Sequence, residues 1–394
     1  MQDVFGHIAP GYPSMLQQIR GFQTHYPISS HAQGYLTSGS GAGFGRDSLC
    51  SAYGEFIERN HFYLNVKTDK KARLHDVNDL QLANSLYAMI EQTKVSDKSP
   101  KQHLFHLSKV SNIFTQQDCY LPTALISLSF LDKEDREYLP FVDSCGEAGH
   151  LTHDKAFHSA LFEFIERQAL IGSWLTRKYR YKIPADIILS NQKQRKMAEQ
   201  LLKHGEMHVF DVALNLPGFA VLILYFSKSK KDYVQYSIGM SAGASPEEAI
   251  YKALNELWLD YGYLYISDAV KNRLTAIASS RSYTVRHIED NDVIKTKSIM
   301  AYDLLAECNI TAGDYLALPS VTDKEACATL KKTTLNIFKY HRSDSRPGHE
   351  YVKIMSPDFL LHMSVKNKLN TDNAYMRTLQ ADRQNLYRET IPFP

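Results

Sequence analysis

The pattern of apolar and polar positions is dominated by a helical signature that recurs along the chain. In Ser51-Ala-Tyr-Gly-Glu55-Phe-Ile-Glu58-Arg59, offsets of four and three residues put Ser51, Glu55 and Glu58 on one helical stripe, with Arg59 at its edge. The pattern returns as Ser159-Ala-Leu-Phe-Glu163-Phe-Ile-Glu166-Arg167, identical at seven of nine positions. A weaker third copy is Ala253-Leu-Asn-Glu256-Leu-Trp-Leu-Asp260. What precedes the later copies recurs as well. An apolar, β-rich run from Pro122 to Phe130, a charged turn from Leu131 to Glu137 and a run from Tyr138 to Val142 lead into Gly-rich Asp143 to His150. The third copy follows Pro217 to Phe226, a turn from Ser227 to Asp232, Tyr233 to Ile238, and Gly/Ser-rich Gly239 to Ser245. Two short apolar runs joined by a polar turn predict an antiparallel hairpin. The expected class is α+β, built from pseudo-symmetric repeats of hairpin, Gly/Ser loop and helix.

The helix starts have legible chemistry. Ser245-Pro246-Glu247-Glu248 sets an N-cap serine, a proline at the first helical position and a capping-box glutamate in order. Asp47 and Asp154 are expected to cap the other two helices. Segments 66–100 and 177–206 are charged and helix-compatible, and read as peripheral helices. The basic run Arg177-Lys-Tyr-Arg-Tyr-Lys182 reads as a solvated face rather than a phosphate site. No low-complexity linker divides the chain, so one domain is expected over residues 1–394, with the repeats at about 30–265 and a C-terminal part at about 266–394.

Composition narrows the class. A chain of 394 residues that is 44% hydrophobic and 22% charged buries a sufficient core without metal or disulfide support. Lys plus Arg exceed Asp plus Glu by only two, which gives no general field for nucleic acid or anionic lipid. The amino terminus lacks a basic region followed by an apolar run, and the longest strongly apolar stretch, Phe219 to Phe226, is too short to span a bilayer. A cytoplasmic protein with neither nucleic-acid nor membrane partners is expected. Five cysteines, Cys50, Cys119, Cys145, Cys308 and Cys327, form no CxxC pair and read as reduced thiols, Cys145 as small core filler.

Two glutamates on one stripe of an otherwise apolar helix repel each other, so the pairing calls for a compensating cation. Two helices that each present such a pair, Glu55 with Glu58 and Glu163 with Glu166, suit a cavity for a hard cation, which takes oxygen ligands and, for Mg²⁺, substrate phosphates. Gly-rich Ser38 to Gly45 reads as a loop that lets backbone amides approach phosphate oxygens. Neither GxxxxGK[ST] nor GxGxxG occurs in that stretch, which disfavours a standard P-loop or dinucleotide site. His150, His153 and His158 lack the HExxH spacing and read as ordinary loop and helix histidines.

At these residues the sequence resembles the YcaO family, whose members carry repeated SxxxExxER-like helices around an ATP and Mg²⁺ site. The likeness runs over residues 30–394 and is nearest to the cyclodehydratase subunit of microcin-type thiazole/oxazole peptide synthetases, through Glu256-Leu-Trp258, Lys353 to Met363 and the closing Pro392-Phe-Pro394. It implies a YcaO-type fold and ATP-dependent cyclodehydration of a ribosomally made precursor peptide. In that reaction a Ser, Thr or Cys side chain attacks the preceding amide carbon, ATP phosphorylates the resulting oxygen, and phosphate leaves. By this resemblance Glu55, Glu58, Glu163 and Glu166 are Mg²⁺ ligands, Arg59 and Arg167 pair phosphate or orient the carboxylates, and Ser51, Ser159 and Glu256 complete the nucleotide site. The terminal carboxylate of Pro394 is expected to serve as the catalytic base. Expected partners are a leader-recognition subunit and a flavin-dependent azoline dehydrogenase. Backbone thioamidation or amidine formation, and a silent scaffold, are the alternatives. Leu259, Tyr261 and Lys155 depart from residues common at those places in the family.

Overall fold

The computed structural model describes residues 14–18, 27–34, 37–129, 133–232, 234–274, 301–344 and 348–392. Strands β1 (Ser14–Gln18), β2 (Ile28–Gln33) and β3 (Ser38–Gly43) lead into helix α1 (Asp47–Asn60). Strand β4 (Lys70–Ala72), helix α2 (Leu80–Thr93), β5 (Phe105–Asn112), β6 (Asp118–Pro122) and β7 (Glu147–His150) precede the long helix α3 (His153–Thr176). Next come β8 (Tyr181–Ile183), α4 (Arg195–His204), β9 (Gly205–Asp211), β10 (Phe219–Ser227), β11 (Tyr236–Gly243) and α5 (Pro246–Leu274). Helix α6 (Asp323–Thr333) and strands β12 (Phe338–Asp344) and β13 (His349–Met355) complete the main elements. The class is α+β, and the strand pairings among the described residues are antiparallel.

The strands form three sheets: β1-β2-β3, β11-β10-β9-β8, and β4-β5-β12-β13-β7 with β6 added on β5. The expected hairpin before the third copy is present, with Phe219 opposite Gly243 and Phe226 opposite Tyr236. The hairpin expected before the second copy does not form. β6 stops at Pro122, a 3-10 turn follows at Thr123–Leu125, and Tyr138 to Val142 is irregular. The reason lies in Arg136, whose buried guanidinium donates to the carbonyls of Ala124, Ser127, Ser129, Leu139 and Phe141. One side chain satisfies backbone acceptors that a ladder would otherwise have to satisfy. The strand that introduces the second copy, β7, pairs with β13 from the C-terminal part, Lys353 opposite Glu147.

The Gly/Ser-rich stretches read as loops are strands. Ser38–Gly43 is β3 and most of Gly239–Ser245 belongs to β11. Their glycines are spacers: a Cβ on Gly39 would sit 2.3 Å from the Ala52 carbonyl oxygen of α1, and one on Gly239 would sit 2.1 Å from the Ala253 carbonyl oxygen of α5. Each strand thus lies directly on the backbone of the helix it introduces. Ser245 caps α5 as expected, accepting the Glu248 N–H at 3.2 Å, while Glu248 accepts the Ala244 N–H at 3.0 Å. Asp47 and Asp154 do not cap. They lie inside the first turns of α1 and α3, behind Arg46 and Thr152 at the N-cap positions, and favour the positive helix end by charge alone.

The segments expected at the periphery do hold α2 and α4, together with β4 and β8. The basic run is a solvated face only at its start, Arg177 and Lys178. Arg180 pairs with Asp211, Lys178 Nζ donates to the Leu379 carbonyl, and buried Lys182 Nζ donates to the Leu304 and Ala306 carbonyls. Core side chains on both sides of α3, including Phe162, Phe164, Ile165, Leu170 and Trp174, fix that helix between sheets. Each stabilises by about 1.5–3 kcal/mol on burial. No helix among the described residues is long and apolar enough to cross a membrane.

Candidate active site

Helices α1, α3 and α5 present the three motif copies to one cavity of about 660 Å³, floored by β2, β3 and β11. Ser51, Glu55, Glu58, Arg59, Glu163, Glu166, Arg167 and Glu256 all line it. Ser159 does not. The wall formed by α3 begins one turn further along, at Glu163. Pro394 lies outside the described residues.

Backbone amides hold the carboxylates in place. The Ser40 N–H of β3 donates to Glu55 Oε2 at 2.7 Å. The Gly149 N–H of β7 donates to Glu58 Oε2 at 2.8 Å, and the Ala242 N–H of β11 donates to Glu166 Oε2 at 3.2 Å. Gly149 and Ala242 stand at matching places, each four residues before the first residue of its helix. The second glutamate of one copy is therefore gripped by the strand that introduces the next. Arg59 lies 3.5 Å from Glu55 and 3.6 Å from Glu147, and Arg167 lies 3.8 Å from Glu163 and 3.7 Å from Glu166.

The lining carries six carboxylates, Asp260 included, against three cations, Arg59, Arg167 and Lys252. Burial first, then neighbouring carboxylates, raises Glu58 well above the usual range, with Arg59 opposing. Burial pushes Glu163 up to about 8, with Arg167 opposing and Glu166 adding to the rise. Glu166 is raised by burial, against Arg167 and the Ala242 amide. Glu256 opens onto the cavity, yet enclosure by protein and the charges of Glu166 and Glu55 raise it too, a shift that cavity water softens. The site thus concentrates negative charge and leaves part of it uncompensated.

The profile of the family described as YcaO cyclodehydratase, ATP- and Mg²⁺-binding, matches residues 39–359. The chain belongs to the YcaO family. The microcin B17-processing protein McbD of Escherichia coli is 26% identical over the full length of both chains. The E. coli microcin synthetase McbBCD complex with pro-MccB17 bound contains a chain that superposes with a TM-score of 0.85 at 25% identity, covering 98% of each. The YcaO protein of Methanopyrus kandleri bound with AMPPCP and Mg²⁺ shares the fold, with a TM-score of 0.57 at 11% identity over 88% of this chain and 85% of that one. This chain is accordingly a YcaO-type cyclodehydratase that uses ATP and Mg²⁺.

The cavity fits those groups. Carboxylate oxygens are hard donors, and Mg²⁺ keeps waters and phosphate oxygens in its shell, so it needs few protein ligands at once. Among the described residues no group of three or more carboxylate, histidine or cysteine side chains is placed to hold a metal ion by itself. The YcaO motif alone did not point to His31, Ser40, Lys252, Asn255 and Asp260, which also line the cavity. Lys252 and Asp260 had a signal: aligned on Glu256, they occupy the first and last places of the third motif copy, where the other copies have Ser and Arg. Ser40 lies in the Gly-rich stretch expected to approach phosphate, and His31 had no signal in the sequence. The three histidines of the 150–158 segment stay apart from the cavity lining; His158 bonds Asp323 at 2.7 Å.

Proposed function

We propose that this protein closes oxazoline and thiazoline rings on Ser, Thr or Cys residues of a ribosomally made precursor peptide, with Glu55, Glu58, Glu163 and Glu166 holding Mg²⁺ and Arg59 and Arg167 facing the nucleotide phosphates. The observation that carries this reading is the convergence of two duplicated Glu-Glu-Arg sets on one cavity. ATP supplies the phosphoryl group that turns the amide-derived oxygen into a leaving group. The chain's own contribution is positioning and charge: phosphoryl transfer needs groups held in line and negative charge neutralised more than it needs a covalent enzyme nucleophile. Amide-held carboxylates keep their geometry while the reaction proceeds, because their hydrogen bonds come from sheet backbone rather than from mobile side chains. Ser51 and Glu256 complete the nucleotide walls.

The reading includes partner subunits. The full-length likeness to a chain of the three-component E. coli synthetase supports a subunit that recognises the precursor's leader and a flavin-dependent dehydrogenase that oxidises azoline to azole. A cytoplasmic site of action is supported by five unpaired cysteines. The chain is proposed to act as one YcaO-like domain over residues 1–394, since β12 and β13 of the C-terminal part join the sheet that carries β7. The test is mass spectrometry of a precursor peptide incubated with this protein, its partner subunits and Mg·ATP. Loss of one water per ring is expected, with two further hydrogens lost from each ring that the dehydrogenase oxidises, and an unmodified peptide in the presence of all components would overturn the assignment.

A further inference from the structure

Behind the cavity wall lies an ion pair that the motif does not include. Glu147 on β7 is fully buried and accepts from Lys353 Nζ on β13 at 2.8 Å through Oε1. Lys353 is also buried, and its ammonium donates in addition to the carbonyls of Ile126, at 3.2 Å, and Asp143, at 2.8 Å. Three acceptors use its three protons, so it is fixed. Glu147 Oε2 has no hydrogen-bond partner, and Arg59 Nη1 faces it at 3.6 Å. Arg59 Nη2 lies 3.5 Å from Glu55 Oε1 at the cavity. The guanidinium is therefore suspended between a cavity carboxylate in front and a buried one behind. Arg167 is placed differently, between Glu163 and Glu166 of its own motif with Met363 Sδ at 3.3 Å.

We infer that Glu147, itself locked by Lys353, is a positioning residue that orients Arg59 toward the nucleotide phosphates. A guanidinium pulled only by Glu55 would fold onto its own helix as an i,i+4 pair, whereas a second carboxylate on the opposite side holds its plane across the cavity wall. Burial raises the Glu147 carboxyl above its ordinary value, and Lys353 and Arg59 oppose that rise, so the two cations share in holding the carboxylate. β7 then serves the first motif copy twice: Gly149 grips Glu58, and Glu147 grips Arg59.

This inference rests on the reading of Arg59 as a phosphate contact, and the experiment separates the two. The probe is a non-hydrolysable ATP analogue with Mg²⁺, its Kd measured by calorimetry on the full chain alongside thermal melting. Arg59→Gln should weaken binding about tenfold or more, the scale of one charge-assisted contact; unchanged Kd there would overturn the phosphate reading itself. The double variant Glu147→Gln/Lys353→Met removes the buried pair together, which leaves no orphan charge of that pair. It should raise the Kd about tenfold and raise KM for ATP more than it lowers kcat, with no further loss when Arg59→Gln is added. Glu147→Asp, which keeps Lys353 paired but withdraws the carboxylate from Arg59, should give an intermediate loss and decides the matter if the double variant melts early. A normal Kd in a folded Glu147→Asp or double variant, or losses that add to that of Arg59→Gln, would overturn the brace.

Discussion

Glu58 Oε2 on α1 accepts the Gly149 N–H of β7 at 2.8 Å, and this bond ties the first motif copy to the strand that introduces the second. Its counterpart, Glu166 to Ala242, ties the second copy to the third at 3.2 Å. The repeat is thus a relay around the cavity, in which the second glutamate of each of the first two copies is held by the next unit's backbone. One carboxylate oxygen is committed to structure, so removing charge without removing shape separates function from folding.

Glu55→Gln and Glu163→Gln each delete one anionic ligand while keeping volume. Both should lower ring formation by a factor on the order of 10²–10³, as loss of a preorganised charge-stabilising group does. The thermal midpoint should hold, and at alkaline pH Glu163→Gln should raise it, because the wild-type carboxyl is pushed up to about 8. Wild-type turnover in both variants, followed by mass spectrometry, would remove these residues from the site.

The same carboxyl gives the ligand-free protein a pH dependence. Between its ordinary 4.5 and about 8, folded Glu163 retains a proton that the unfolded chain has released. The native state then binds more protons than the unfolded state, and stability falls as pH rises through that window. Urea midpoints should therefore decline from about pH 6 to about pH 8 and flatten in Glu163→Gln. Mg²⁺ with nucleotide should tighten over the same range, since binding must displace that proton. Midpoints that climb with pH in the ligand-free protein would contradict the charge balance of the cavity.

Glycine substitutions distinguish spacing from looseness. A Cβ at Gly239 would stand 2.1 Å from the Ala253 carbonyl oxygen and 2.3 Å from Leu257 N, both backbone atoms that cannot rotate away. Gly239→Ala should cost about 1–3 kcal/mol or more by overpacking. Gly54 lies inside α1, and a Cβ there meets nothing within 4 Å. Gly54→Ala should stabilise by roughly 0.5–1 kcal/mol through the unfolded chain's lost freedom. Equal responses in chemical denaturation would show that the strand does not press on α5 as described.

The helices and the residues they bring to the cavity were largely legible because a period near 3.6 residues and a nine-residue motif written twice leave few other solutions. The strands were not. Gly39, Gly41, Gly239 and Gly243 carry the composition of loops, and only the helix pressed against them explains why a strand there contains no larger side chain. The hairpin expected at Pro122 to Val142 failed for a different reason: a run that is apolar and β-rich reads as strand unless something else satisfies its carbonyls, and here that something is Arg136, a residue in the expected turn. The partner that β7 does take, β13, lies some 200 residues away and leaves no local signature. The C-terminal segment thus enters the fold as a sheet component, which its sequence pattern alone did not announce.

The last prediction concerns the tail. Tyr387 N–H donates to the Leu175 carbonyl at 2.8 Å, Trp174 Nε1 donates to the Glu389 carbonyl at 2.7 Å, and Ile391 is buried. The segment is therefore strapped to the last turns of α3, the helix whose earlier turns carry Glu163, Glu166 and Arg167. Chain ends are usually frayed and tolerant of loss, and this one is held by backbone hydrogen bonds and an indole instead. Two of the last three residues are proline, which leaves little conformational freedom to lose when such a segment is seated in a cleft. Two variants separate the strap from what it delivers. Trp174→Phe loses the indole donor to the Glu389 carbonyl, so it should lower stability by about 1–3 kcal/mol. Deleting Pro392 to Pro394 leaves the strap intact, and should leave the thermal midpoint and nucleotide binding near wild type while ring formation falls at least about tenfold, as expected when a group that assists proton transfer is removed. Undiminished ring formation after that deletion would take the tail out of the mechanism, and a fall in stability matching that of Trp174→Phe would assign it a structural part only.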